Sequence, residues 1–266
     1  MVAELLGGAE LVEITTSGDR VRAAGDKSRF VKEIEEALLA GEVDLAVHSA
    51  KDVPGVLPQG LEIAAVPTRA DPRDVLCGAE SLDALGAGAR VGTASIRRRS
   101  QLLALRGDLE IVELRGNVDT RLRKLEEGGY DAIVLAAAGL ERLGRTDVGF
   151  PLDAMTPAPG QGCLALQIRS EDERTRQRVA AVSDPIAFAC LAAERECVVA
   201  LDATCDTPVG VLARSDDGKR FRIQGYAGAP DGSVWIRDEV EGGPDAGRLL
   251  AERLLSAGAA DVLSRG

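Results

Sequence analysis

Histidine is nearly absent from this chain: His48 is the only one in 266 residues. That scarcity argues against a zinc centre of the usual His/Cys kind and against a hydrolase that needs an imidazole base elsewhere. Cysteine is sparse as well. Cys77, Cys163, Cys190, Cys197 and Cys205 are odd in number and form no CxxC pair, which points to reduced thiols in a cytoplasmic protein. No apolar run approaches the ~20 residues needed to span a bilayer. The start has no basic n-region, and Glu4 and Glu10 interrupt its apolar residues, so it does not read as a signal peptide. Positive charge is in deficit: a formal net charge of −11 argues against a nucleic-acid or anionic-membrane partner.

What is present is ample for folding. Hydrophobic residues make up 45% and charged residues 28%, the balance of a soluble globular protein with two or three domains. Strand and helix patterns alternate through most of the chain. A helix opens at Ser28, with Phe30, Val31, Ile34, Ala37 and Leu38 on its apolar face, and closes at Gly41. Strands are expected at 43–47 and 61–66. Asp71-Pro72-Arg73-Asp74 breaks the pattern like a crossing between domains, and Met155 to Gly162, rich in proline and glycine, reads as the crossing back. Between them the pattern predicts strands near 75–77, 90–95, 111–114 and 130–137, with helices at 96–106, 119–127 and 139–144. Ser95 is placed to cap the first of these helices. Cys163 to Ile168 is strand-like, Ser170-x-x-Glu173 has the form of a capping box, and Asp184-Pro185 opens another helix. Three strands (208–214, 219–227, 233–240) and a helix over 245–256 then predict a small antiparallel sheet with helices on one face. Val2 to Leu6 is helix-like but only about one turn long, too short to hold itself together in water.

Three constellations could carry chemistry. A strand that ends in His48-Ser49-Ala50-Lys51-Asp52-Val53-Pro54 delivers hydroxyl, ammonium and carboxylate to its C-terminal end, where α/β sheets collect ligands. A solvated turn with Lys51 and Asp52 facing water is the equal alternative on spacing alone. From Arg97 to Lys124 eight basic residues face four acidic ones, a local cationic region in an acidic protein. Thr93, Ser95, Arg97 and Arg98 lie at one strand-to-helix junction, Arg115-Gly116-Asn117 at the next, with Arg121 following. Helix N-termini and arginine forks both suit small polyanions, although a wet basic helix face is the commoner fate of such a run. Cys205 sits in a loop between helix and strand, and an inert thiol there is the better reading on sequence alone.

Taken together, these stretches resemble the porphobilinogen deaminase (hydroxymethylbilane synthase) family. The matching residues are Phe30 to Glu33, His48 to Pro54, Asp71 to Asp74, Gly92 to Arg98, Leu114 to Val118, Ala138 to Gly144, Gly160-Gln161-Gly162 and Cys205-x-x-Pro208-Val209-Gly210, in the family's order. The resemblance implies an α/β protein with two lobes like those of periplasmic binding proteins and a small α+β C-terminal domain. Its boundaries would be 1–68 with 163–182 for the first lobe, 69–162 for the arginine-rich lobe and 183–266 for the third domain.

It also implies the joining of four porphobilinogen molecules head to tail, with release of ammonia, on a dipyrromethane primer held by a thioether to Cys205. Asp52 would be the catalytic acid and base. Lys51, Thr93, Ser95, Arg97, Arg98 and Arg115 would bind the cofactor, and Lys27, Arg121, Arg142 and Gln161 the substrate. The implied partner is a small molecule, with no metal, nucleic acid or membrane, and the implied state is a monomer. Family members usually begin with a strand and helix carrying Arg-x-Ser-x-Leu-Ala, and about thirty residues of that kind are expected to be missing here. The competing expectation is a non-catalytic two-lobed binder of a small polycarboxylate, which would need neither Cys205 nor Asp52.

Overall fold

A computed structural model describes residues 1–14, 31–204 and 206–265. The described strands form three sheets. The first has order β1-β8-β2, formed by β1 (Ala46–Ser49), β8 (Leu164–Arg169) and β2 (Leu61–Ala65), with both pairings antiparallel. β8 is therefore the middle strand, reached only after the chain has left β2 and built the whole second sheet.

That second sheet has order β5-β4-β6-β3-β7, from β3 (Asp74–Cys77), β4 (Arg90–Gly92), β5 (Glu110–Val112), β6 (Ala132–Ala136) and β7 (Phe150–Pro151). β4 runs parallel to β5 and β6, while β3 is antiparallel to β6 and β7. Its two faces are filled by different side chains, with Leu76, Val91 and Val134 on one and Val75, Ile133 and Leu135 on the other. A strand apolar on both faces is a sheet covered on both sides. The third sheet, order β11-β10-β9, is fully antiparallel: β9 (Val209–Arg214), β10 (Phe221–Gly228), β11 (Trp235–Gly242).

The helices are α1 (Val2–Leu5), α2 (Lys32–Ala40), α3 (Ile96–Leu105), α4 (Val118–Glu126), α5 (Ala137–Arg142), α6 (Glu173–Ala180), α7 (Pro185–Ala200), α8 (Ala246–Ser256) and α9 (Ala259–Leu263), among the described residues. None is long and apolar enough to cross a membrane. The one-turn α1 survives because Val2 is buried with Ala65, Leu166 and Val179, so tertiary packing supplies what its length cannot.

Several caps match the sequence pattern. Ser95 Oγ accepts from Arg98 N, and Asp184 Oδ1 accepts from Ile186 N and Ala187 N with Pro185 at the first helical position. Two expectations shift. The strand expected over 43–47 pairs at 46–49, because alternate residues Ala46 and His48 turn into the core and register against Gln167 and Ala165. The cap of α6 is Asp172 rather than Ser170: its Oδ1 accepts from Thr175 N at 3.0 Å and Oδ2 from Thr175 Oγ1 at 2.8 Å. A carboxylate two residues later offers two acceptors to the first turn where Ser170 offers one. The expected helix start at Ser28 lies outside the described residues; α2 is described from Lys32.

Candidate active site

β1 ends in a tight 3-10 turn, Ala50–Asp52, before Val53 returns to extended backbone. The strand's inward alternation buries His48, whose Nε2 lies 2.9 Å from Gln167 Oε1; Gln167 Nε2 in turn donates to Glu35 Oε1 at 2.8 Å. Burial lowers the imidazole's pKa, against the opposing pull of Gln167 and Asp52. A pKa lower in the folded than in the unfolded state contributes stability above the unfolded value and loses it as pH falls. Thermal stability should therefore decline between about pH 7 and pH 5.5, and His48→Gln should flatten that decline in scanning fluorimetry. With no other histidine in the chain, an unchanged slope would sink the assignment.

One residue further, Lys51 and Asp52 leave the sheet half-buried. Lys51 Nζ donates to Gln161 Oε1 at 3.4 Å, and Gln161 Nε2 donates to Pro72 O at 2.7 Å and Asp74 Oδ1 at 2.9 Å. Asp74, at the start of β3, is wholly buried and meets two arginines of α3: Arg97 Nη1 at 2.7 Å and Arg98 Nη2 at 2.8 Å. Burial alone would raise the Asp74 pKa, but the two guanidiniums outweigh it and hold the carboxyl far below its usual range. Arg97 also donates to Thr156 O and Arg98 to Val134 O. Two guanidiniums thus share one carboxylate, and the cluster keeps a net positive charge in a place poor in water.

The other cations surround this chain of contacts. Arg142 Nη2 donates to Gly162 O at 2.9 Å, and a cavity of about 70 Å³ is lined by Ser49, Lys51, Arg142, Gln161 and Cys163 among others. Arg121 donates to Gly116 O at 2.7 Å. Its pKa is lowered, by burial first and then by Arg98, with Asp52 opposing, which places this second-sheet residue in the electrostatic field of the β1 turn. Thr93 is buried and its Oγ1 accepts from Ser95 N. Arg115 stands further out, half-exposed and paired with Glu113 at 2.6 Å. The structure thus brings Lys51, Asp52, Gln161, Arg97, Arg98, Arg121 and Arg142 to the junction of the first two sheets. Arg115 is engaged by a neighbouring carboxylate, and Cys205 and Lys27 lie outside the described residues.

Sequence reasoning passed over the residues that set this geometry. Glu194 of α7, fully buried, accepts from Arg69 Nη1 at 2.6 Å, Gly160 N at 2.6 Å and Ala213 N at 2.8 Å. Arg69 also donates to Gln161 O at 3.0 Å. Burial would lower the Arg69 pKa, but Glu194 outweighs it and raises it. One carboxylate of the C-terminal unit therefore clamps both crossings between the first two sheets. The crossings also touch directly: Gly162 has φ +91°, and a Cβ there would run into the carbonyl oxygen of Ala70. The usable signal was Arg69 beside Asp71-Pro72, a cation at a chain crossing.

Two α/β units whose cations converge on a polar cleft, spanned by a third unit, make a two-lobed arrangement. Comparison with known proteins makes this specific. Residues 1–177 match the family model described as "Porphobilinogen deaminase, dipyromethane cofactor binding domain", and residues 188–256 match "Porphobilinogen deaminase, C-terminal domain". The chain belongs to the porphobilinogen deaminase family.

Relatives of that name include one from Brevibacillus brevis, 45% identical over 267 residues (96% of this chain, 86% of the relative). One from a Roseiflexus species is 48% identical over 265 residues (94% and 87%), and one from Thermus thermophilus 46% over 261 residues (95% and 87%). Solved structures with some likeness include a periplasmic substrate-binding protein from Coxiella burnetii, at 18% identity and TM-score 0.37, covering 60% of this chain and 79% of that one.

Proposed function

We propose that Asp52 is the proton-handling residue of this chain and that the surrounding cations hold the carboxylates of cofactor and substrate. The activity is that of the family: a transferase of tetrapyrrole synthesis that joins porphobilinogen units head to tail with release of ammonia. When bound, dipyrromethane supplies the pyrrole carbon to which the first substrate unit is joined. The observation that supports the reading is the run from Lys51 through Gln161 and Asp74 to Arg97 and Arg98, where two guanidiniums share one buried carboxylate. The excess positive charge fits the acetate and propionate arms of pyrroles. Lys51, Arg97 and Arg98 are assigned to the cofactor's carboxylates with Thr93 and Ser95 fixing the helix start. Arg115 is assigned to the same group from the rim, and Lys27, Arg121, Arg142 and Gln161 to the incoming substrate.

Asp52 delivers a proton to the departing amine nitrogen of porphobilinogen, which leaves as ammonia. The carboxylate so formed faces the cation left on the substrate and offsets its charge. The same oxygen then takes up the proton lost from the attacked pyrrole carbon. A carboxyl group can both give and take a proton, so the chemistry needs no imidazole.

Cys205 is assigned the thioether link to the cofactor. Intact-mass spectrometry after incubation with porphobilinogen or hydroxymethylbilane is expected to show an adduct on the wild-type chain and none on Cys205→Ser. An unmodified wild-type mass would leave only a polycarboxylate binder; an adduct on Cys205→Ser would move the attachment point. The same reading takes lobe 1 as 1–68 with 163–182, lobe 2 as 69–162 and the third domain as 183–266, in a cytoplasmic monomer. The three separate sheets support that division.

A further inference from the structure

A second cavity lies apart from the polar cleft, between the first sheet unit and α7. This groove has a volume of about 610 Å³, and Leu57, Ile63 and Val66 on one side face Phe188, Leu191 and Val199 on the other. Residues 192, 195, 196, 199 and 200 of α7 all line it, the spacing of one helical face. Val199 is 49% exposed there, so the apolar face is not closed by the protein itself.

Arg195 is the anomaly in this groove. Its Nη1 donates to Val53 O at 3.3 Å, and its Nη2 to Pro54 O at 2.7 Å and Gly55 O at 2.9 Å. All three acceptors are uncharged carbonyls. Its pKa is lowered by burial, with no carboxylate acting against it. A guanidinium carries five N–H donors, so two are left after these three bonds. Burying a charge is costly unless an opposite charge meets it. The other charged residues of the lining do not supply one. Glu196 Oε2 accepts from Arg248 N at 3.2 Å, and the Arg248 guanidinium pairs with Glu252 at 2.9 Å and Asp245 at 3.6 Å.

We propose that this groove binds a small amphiphilic monocarboxylate, an aliphatic or aromatic acid whose carboxylate meets Arg195 and whose apolar body covers the walls. The spare donors, Nε–H and one on Nη1, lie on different edges of the guanidinium, so a carboxylate would meet one of them in a charge-assisted bond. The volume lies within the range of small-molecule sites. Porphobilinogen, with two carboxylates and an aminomethyl group, fits the polar cleft and not these apolar walls. The site also reaches the chemistry, because the carbonyls that Arg195 holds belong to the three residues following Asp52.

The test is isothermal titration calorimetry of the full chain with 6-phenylhexanoate and, as its uncharged counterpart, 6-phenylhexan-1-ol. The acid is expected to bind roughly tenfold or more tightly than the alcohol. Arg195→Gln should remove that preference, and Ala192→Phe, at an exposed position of the groove wall, should weaken both ligands. Equal affinity for acid and alcohol, no binding of the acid, or acid binding untouched by Ala192→Phe would each overturn the proposal. Sedimentation at the titration concentration adds a further outcome: a dimer lost in Ala192→Phe would make a second copy of the chain the occupant and overturn it too. If Arg195→Gln fails to fold, the acid–alcohol difference and Ala192→Phe still decide.

Discussion

Asp52→Asn is expected to lower turnover by roughly 10²- to 10⁴-fold while leaving the protein folded. The side chain keeps its shape and loses the proton that the amine must receive. Asp52 is half-buried at the end of a short turn, not in the core, so thermal unfolding should change little. Ammonia release from porphobilinogen measures the first effect and scanning fluorimetry the second. Turnover within tenfold of wild type would hand the proton to another residue. A matching loss of thermal stability would make the effect structural. Substrate affinity should suffer much less than turnover, since carboxylate binding is assigned to Lys51 and the arginines rather than to Asp52.

Asp74→Asn is expected to act on the fold first. It leaves Arg97 and Arg98, each 5% exposed, without their shared counter-charge. Removing one partner of a buried ion pair typically costs about 3–5 kcal/mol, which for a chain of this size is a fall in melting temperature of roughly 6–20 °C. The pH dependence has a definite sign. The Asp74 pKa is held down in the folded state, so its stabilisation is present above the ordinary carboxyl value of about 3.9 and fades as pH falls below it. The gap between wild type and variant should therefore narrow in acid. A variant as stable as wild type at neutral pH would show that the carbonyls of Thr156 and Val134 suffice for the two guanidiniums. Activity should fall as well, because Gln161 Nε2 loses an anionic acceptor while Gln161 Oε1 still has to hold Lys51.

Local chemistry was legible in the sequence where the cause was local. Ser95 and Asp184 cap helices because their side chains reach the next turn, and apolar alternation places the strands. The cations of the cleft could be named because arginine at strand ends is conspicuous. Their state could not. Arg97 and Arg98 look like free anion binders in the sequence, yet Asp74, more than twenty residues away, takes one edge of each. Glu194 and Arg69 are separated by 125 positions and meet only because α7 packs across both crossings. Ser170 was preferred to Asp172 as a cap because the spacing of a capping box is a motif, whereas the better acceptor is decided by where the helix begins. The groove at Arg195 has no sequence signature, since its walls come from a loop, one strand with its exit, and two helices far apart in the chain.

The middle position of β8 carries a consequence for how the molecule is assembled. Its residues 164–169 bond to 46–49 on one side and to 61–65 on the other, so the first sheet has no centre until most of the chain exists. The second sheet draws all its strands from the continuous stretch 74–151 and needs nothing downstream to pair. During synthesis from the N-terminus, the arginine-bearing unit can therefore form while the strand carrying Asp52 still waits for its neighbour.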